Sequence, residues 1–383
     1  MKLFLLLISL GSIFQCYAGD YIRYHHEIHS IEQNTSKGDY QLSLDLYYDV
    51  FNRYDNLFYK DIHNACMCAI KVKDFEKAIE CAIELVKKGY TLNDFDEEYF
   101  VELKGNQKVW KAFLKRYKNL RQQYLGSIDQ DERSFYEKNY VLDQKAASIG
   151  NIAKQDSIFF ILAGKLSNHL SQHGFPSIFL CKDTLNHKLH VMLRHYCGLY
   201  NRKKNDENLK QDPQYTLYAD NIIKPIVDKA LHDGLILPHV YMSIVSYYDD
   251  NPFGEVALKI DVDNEIIYPF IKGKQEDVEC INSLRSKVGM KAIINCNDTV
   301  SLANTWYAHY PFKEVKLAME TCDTCNTFLD YMALHVSIEA RVRDDYRGKN
   351  RDGFILSNNF EAMETYYQFS FMNNLKKNGI NNK

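Results

Sequence analysis

Helix-breaking residues are scarce: the 383 residues include only 7 prolines and 17 glycines. Long amphipathic helices can therefore run uninterrupted, and the chain leans toward an α-rich fold. An excess of one charge is also missing. Forty-seven Lys and Arg against 50 Asp and Glu leave a formal net charge of −3, with no basic tail. No nucleic-acid partner is expected from that balance. No stretch beyond the N-terminus reaches about 18 uncharged apolar residues, so no transmembrane segment is expected once a leader is removed. The phosphate cradles G-x-x-x-x-G-K-[ST] and G-x-G-x-x-G and the nucleophile elbow G-x-S-x-G do not occur, and no cofactor is expected. Aromatic surface, by contrast, is plentiful, with 28 Tyr, 21 Phe and 2 Trp. A sizeable core is within reach, and the length suits two or three compact units.

Met1-Lys2 followed by the apolar run Leu3 to Phe14 has the pattern of a secretory signal peptide. The run is shorter than the roughly 20 residues that span a bilayer. Cys16 and Ala18 place small residues at −3 and −1 of a cleavage site before Gly19. Residues 1–18 are expected to be removed, leaving a soluble extracytoplasmic protein, periplasmic or secreted. Lipid attachment at Cys16 is the less favoured alternative, because Gln15 suits that processing poorly. Nine of the ten cysteines follow the leader, an odd number for full disulfide pairing. Cys81 and Cys197, at helical positions with apolar flanks, are expected to be small buried hydrophobes.

Internal similarity is the strongest structural signal. Residues Lys37 to Asp45 align with Val72 to Glu80 at an offset of 35, matching Asp39 with Asp74, Tyr40 with Phe75, Ser43 with Ala78 and Leu44 with Ile79. An Asp-aromatic turn thus precedes an apolar helical stripe twice, each time after an expected helix, Tyr21–Gln33 and Phe58–Val72. Small residues at 43 and 78 would let paired helices approach closely. Asp94 to Tyr117, with Phe100, Leu103, Trp110, Phe113 and Leu114 apolar, is expected to pack as a third, degenerate pair. Lys73-Asp74-Phe75-Glu76-Lys77-Ala78-Ile79-Glu80 resembles the tetratricopeptide repeat, although Lys73 stands where a glycine is usual and no proline closes either unit. The resemblance implies a concave surface for a protein or peptide partner, or else a helical prop for the rest of the chain.

Beyond this, Ser157–His173 carries an apolar stripe at Phe159, Leu162, Leu166 and Leu170 and is expected to be a helix, as are Leu185–Tyr200 and Tyr218–Asp233. Two short strands, Val256–Ile260 and Glu265–Pro269, are expected around Asp261-Val262-Asp263-Asn264, followed by a helix over Val278–Val288. The order of Asp129-Gln130-Asp131-Glu132-Arg133, Asn151, His173-Gly174-Phe175-Pro176, His195, Asp233-Gly234, Tyr247-Tyr248-Asp249-Asp250 and Val278 to Arg285 is similar to a bacterial domain family of unknown function, often attached behind helical repeats in exported proteins. That resemblance covers roughly 115–292 and implies no reaction. Asn251 stands where the family usually has arginine. Phe312–Val342 and Phe360–Asn374 are expected to be helical.

The chemistry-bearing candidates are few. His169, His173, His187, His190 and His195 fall within 27 residues. His169 and His173, four apart, have a spacing that suits a metal, but no glutamate lies between them as in a zincin, so they are weak ligands. His190 and His195 diverge by roughly 140° on their helix. His173, placed just before Gly174, is expected to be partly buried and to cap the end of its helix. Cys322-Asp323-Thr324-Cys325 is a lone C-x-x-C with helical flanks, a weak redox candidate. Cys66-Met67-Cys68 directs its two thiols to different helix faces. Arg341 to Asp352 carries five basic and three acidic residues and suits a solvated loop.

The expected architecture is therefore mainly α. It comprises a signal peptide (1–18), tetratricopeptide-like helical repeats (19–118), a helical domain with a β-hairpin near 256–269 (119–292), and a helical extension (293–383). The leading functional expectation is a non-enzymatic protein-binding or scaffold module. The alternative is a hydrolase gathering His173, His195 and Asp249 or Asp250, which requires those side chains to converge.

Overall fold

Several helices begin where a short polar side chain accepts from the free amides of the first turn. Asp20 accepts from the Arg23 amide at 3.3 Å, Asp74 from that of Lys77 at 3.1 Å, and Asn151 from that of Lys154 at 3.0 Å. Asp129 accepts from the amides of both Asp131 and Glu132. The computed structural model describes residues 20–204, 223–245, 256–261, 266–271, 275–290, 292, 300–301 and 353–356. The described residues are mainly helical.

The N-terminal part comprises α1 (Tyr21–Ser36), α2 (Tyr40–Phe51), α3 (Tyr59–Lys71), α4 (Phe75–Lys87), the short α5 (Val101–Gly105) and α6 (Gln107–Ser127). Helices α1 to α4 pack in sequence, each against the next, and α6 covers α4. The turns after α1 and α3 are closed by the same hydrogen bonds, 35 residues apart. Asp39 N donates to Asn34 O and Asp74 N to Ala69 O, while Gly38 N donates to Thr35 O and Lys73 N to Ile70 O. This closure needs a left-handed residue after the helix. Gly38 supplies it with φ of 85°, and Lys73 adopts the same region with φ of 62° despite its Cβ. Ser43 and Ala78, both fully buried, let the paired helices approach.

The next layer comprises α7 (Gln130–Ala147), α8 (Ile152–His173) and α9 (Thr184–Lys204), which pack on one another. α11 (Pro238–Val245) lies on α9, and α10 (Lys224–His232) bridges α11 and α1. The stripe Phe159, Leu162, Leu166 and Leu170 is buried, as are Cys81 and Cys197. α6 runs unbroken across position 118, where the sequence suggested a boundary. Phe100, Leu103 and Phe113 pack inside, but Leu114 is 41% exposed, since the neighbouring Phe113 takes the inward face of α6. One apolar cluster runs from Tyr21 through both helical layers to Ile355.

Val256–Asp261 (β1) and Ile266–Ile271 (β2) pair antiparallel with Val256 opposite Ile271, and Val300–Ser301 (β3) pairs with β2. α12 (Gln275–Lys287) follows, with Ser286 O accepting from His26 Nε2 on α1 at 2.9 Å. Val262, Asp263 and Asn264 of the expected turn, the signal peptide, and the helices expected over 312–342 and 360–374 lie outside the described residues. No helix among the described residues is long and apolar enough to cross a membrane.

Candidate functional site

α3 is the most enclosed of the N-terminal helices: every residue from Lys60 to Ile70 is buried. Its C-terminal half is apolar or small, but its first turns bring Lys60, Asp61, His63 and Asn64 inside, each no more than 1% exposed. Polar groups in such a place must be paired, or their desolvation costs several kcal/mol, on the order of 2–7 per group. Two sets of partners satisfy them, on two faces.

On the face toward α1, Lys60 Nζ lies 2.8 Å from Glu32 Oε1 and 2.5 Å from Asp61 Oδ1. Tyr24 donates its hydroxyl to Asp61 Oδ2 at 2.6 Å. Burial pushes the Asp61 carboxyl up from its ordinary range, against the opposing pull of the Lys60 ammonium and the Tyr24 hydrogen bond. Burial, followed by the neighbouring Asp61, drives the Tyr24 phenol far up, so it stays a donor. Two carboxylates sharing one ammonium in a buried interface form an internal lock between α1 and α3.

The opposite face grips another part of the chain. Residues Gly353-Phe354-Ile355-Leu356 lie there in neither helix nor strand. Asn64 Nδ2 donates to Ile355 O at 2.8 Å, and Ile355 N donates to Asn64 Oδ1 at 2.8 Å. One side-chain amide thus matches both backbone groups of one residue. His63 Nε2 lies 2.7 Å from Gly353 O, an atom that can only accept, so Nε2 carries the hydrogen. In the neutral ring, Nδ1 is then left to accept from Tyr90 OH, 3.1 Å away. The Phe354 ring, 1% exposed, stacks on Tyr40 with centroids 5.6 Å apart and planes 9° from parallel. Gly353 has φ of 85°, and a Cβ on it would fall 2.5 Å from Tyr99 Cγ. The position accepts glycine alone, on grounds of both backbone and space.

The histidines singled out in the sequence lie on α8 and α9 instead. His169 and His173 stack at 4.5 Å, and Phe135 stacks on His169 at 3.8 Å. Burial first, then His173, lowers the His169 pKa. His173 ends α8 but is exposed rather than partly buried, because the inward stripe of the helix stops at Leu170. His195 Nδ1 lies 2.9 Å from Oδ2 of the fully buried Asp143, with the imidazole 32% exposed and stacked on Phe159. Phe159 and His173 are separated by about 21 Å along α8 at 1.5 Å per residue, so His195 and His173 do not share a site. His190 Nε2 makes a short contact with Ser243 Oγ, which also lies 2.9 Å from Val240 O. Asp249, Asp250, Cys322 and Cys325 lie outside the described residues, as does Arg341 to Asp352. Among the described residues no group of three or more His, Cys, Asp or Glu side chains gathers as a metal-ligand set. Cys66 and Cys68 are both buried free thiols. Burial raises the Cys68 thiol to about 12, so it is not a thiolate nucleophile.

Sequence reasoning missed Lys60, Asp61, His63, Asn64 and the 353–356 segment. Two signals were present: a polar quartet opening an otherwise apolar helix, and an apolar island between Arg351-Asp352 and Ser357-Asn358-Asn359. No known protein family, curated protein or solved structure matches the chain.

Proposed function

We propose that this is a non-enzymatic binding or scaffold module of an exported bacterial protein, in which tetratricopeptide-like repeats grip an extended segment of a protein partner. The observation that carries this reading is the double hydrogen bond between Asn64 and Ile355. A side chain that pairs with both backbone groups of one residue recognises extended chain as such, while adjoining pockets choose the side chains. The matching turns at Gly38 and Lys73 support the repeat reading, because the 35-residue offset in sequence recurs as an offset in hydrogen bonding. A hydrolase is less well supported, because His195 and His173 stand far apart. The chemistry of the α3 site is backbone recognition, with no exposed nucleophile.

The test uses the full chain carrying Gly353→Ala, so that its own segment cannot seat, and a fluorescein-labelled peptide of residues 349–359. Saturable 1:1 binding by anisotropy is expected. Asn64→Ala in the same background should weaken it about ten- to hundredfold, the loss of about 1.5–3 kcal/mol for a buried bidentate pair. Absence of saturable binding, or binding indifferent to Asn64→Ala, refutes the reading.

A further inference from the structure

We infer that Gly353–Leu356 is an intramolecular ligand that occupies the repeat groove and excludes a partner, and that the partner is a protein presenting a similar extended segment, glycine followed by an aromatic and a branched aliphatic residue. The inference rests on the peptide-binding reading above and adds both the ligand's sequence class and its regulation.

The ligand class follows from what each position meets. The first residue must be glycine, because its φ is 85° and Tyr99 fills the space where a Cβ would stand. Its carbonyl is held by His63, which is itself oriented by Tyr90. The second residue must be a flat ring, because Phe354 lies almost parallel to Tyr40, over which Lys71 Nζ also sits at 5.9 Å. The third position is read through its backbone by Asn64, with the Ile355 side chain 4% exposed. The hydrogen bonds that name Gly353 and Ile355 all go to their main-chain atoms, so a segment from another protein with this sequence could make the same ones. The four residues form an apolar island with Arg351-Asp352 before and Ser357-Asn358-Asn359 after. That pattern has neither a helical nor a strand period and suits a short linear segment inserted into a groove.

The regulation follows from covalent attachment. A tethered segment acts at an effective concentration on the order of 1 mM. A competing peptide with an intrinsic Kd on the order of 100 μM would then bind the intact chain about tenfold more weakly than a chain whose own segment is disabled. Access to the groove is thus set by whatever draws Gly353–Leu356 out of it.

The experiment titrates the labelled peptide of residues 349–359 onto the wild-type full chain and onto Gly353→Ala, with Phe354→Ser as a second release variant. Circular dichroism verifies the helical content of each, and light scattering gives the mass. The expected result is a monomer that binds the peptide about tenfold more tightly in both release variants than in wild type. Equal affinity in wild type and variants overturns the intramolecular competition and leaves the binding reading standing. No binding to folded release variants overturns both, and makes the segment a structural strap. A wild-type dimer that dissociates in Gly353→Ala also overturns the inference, because the groove would then be filled by a second copy. If both substitutions unfold the chain, the segment is part of the core rather than a displaceable ligand, and the inference fails.

Discussion

Replacing Lys60 by methionine removes the ammonium that bonds both Glu32 and Asp61 in the α1–α3 interface while keeping most of the side-chain volume. At 2.8 Å and an effective dielectric of about 20, the Lys60–Glu32 attraction is about 6 kcal/mol. Desolvation costs several kcal/mol per ion, so the intact group is close to break-even. Its removal is not, because Glu32 and Asp61 stay buried and lose the Lys60 ammonium. Loss of one partner of a buried pair costs about 3–5 kcal/mol, a large part of the roughly 5–15 kcal/mol that holds a domain folded. Urea unfolding followed by circular dichroism at pH 8 is the assay, and Lys60→Met should lower the unfolding free energy of the N-terminal transition by that amount. The variant has one escape, protonation of a carboxylate. The Asp61 carboxyl is already raised by burial, and without the ammonium it rises further. Where the folded state holds a proton that the unfolded state has lost, stability falls as pH rises, by about 1.4 kcal/mol per unit per group. The deficit of Lys60→Met should therefore shrink between pH 8 and pH 5. Adding Glu32→Gln and Asp61→Asn, which keeps the Tyr24 oxygen a partner, should recover at least half of it. A cost below about 1 kcal/mol, the range of exposed ion pairs, or a deficit that does not change with pH, would refute this account of the interface.

Two further outcomes are expected. Burial holds the His25 pKa well below its ordinary 6.5, with the charges of His29, Lys60 and His26 adding to the effect. Below pH 6.5 the unfolded chain therefore takes up a proton that the folded chain refuses, and His25 contributes a loss of up to about 1.4 kcal/mol per pH unit. The stability difference between wild type and His25→Phe should drift in favour of the variant from pH 7 to pH 5, and a constant difference would count against it. Lys73→Gly should stabilise the chain by about 0.5–1 kcal/mol, because it relieves the left-handed Cβ strain of about 1–2 kcal/mol at some cost in unfolded-state entropy. A lower melting temperature for Lys73→Gly would show that the Lys73 side chain contributes more than its backbone costs.

How far each feature could be read in advance depends on how local its cause is. The helix over Ile152–His173 was legible because Phe159, Leu162, Leu166 and Leu170 repeat at helical spacing and become buried wherever that helix packs. The equivalence of Gly38 and Lys73 was legible for the same reason, since a turn is closed by residues within five positions of one another. Leu114 misled because a stripe of period 3.6 admits two neighbours as its edge, and packing against α4 chose Phe113. His195 was noticed as a candidate, but its carboxylate, Asp143, is 52 residues away on another helix.

The sequence by itself determined the helical class, the two equivalent turns and which apolar faces seek cover, because these follow from backbone geometry and side-chain period within a few residues. Only the tertiary structure decided which polar residues of α3 lie inside and what satisfies them. Lys60 and Asp61 are tolerated because α1 brings Glu32 and Tyr24, and Asn64 because a segment 291 residues away offers its backbone. A buried polar side chain reads as an error in any local pattern until the partner that pairs with it is in place.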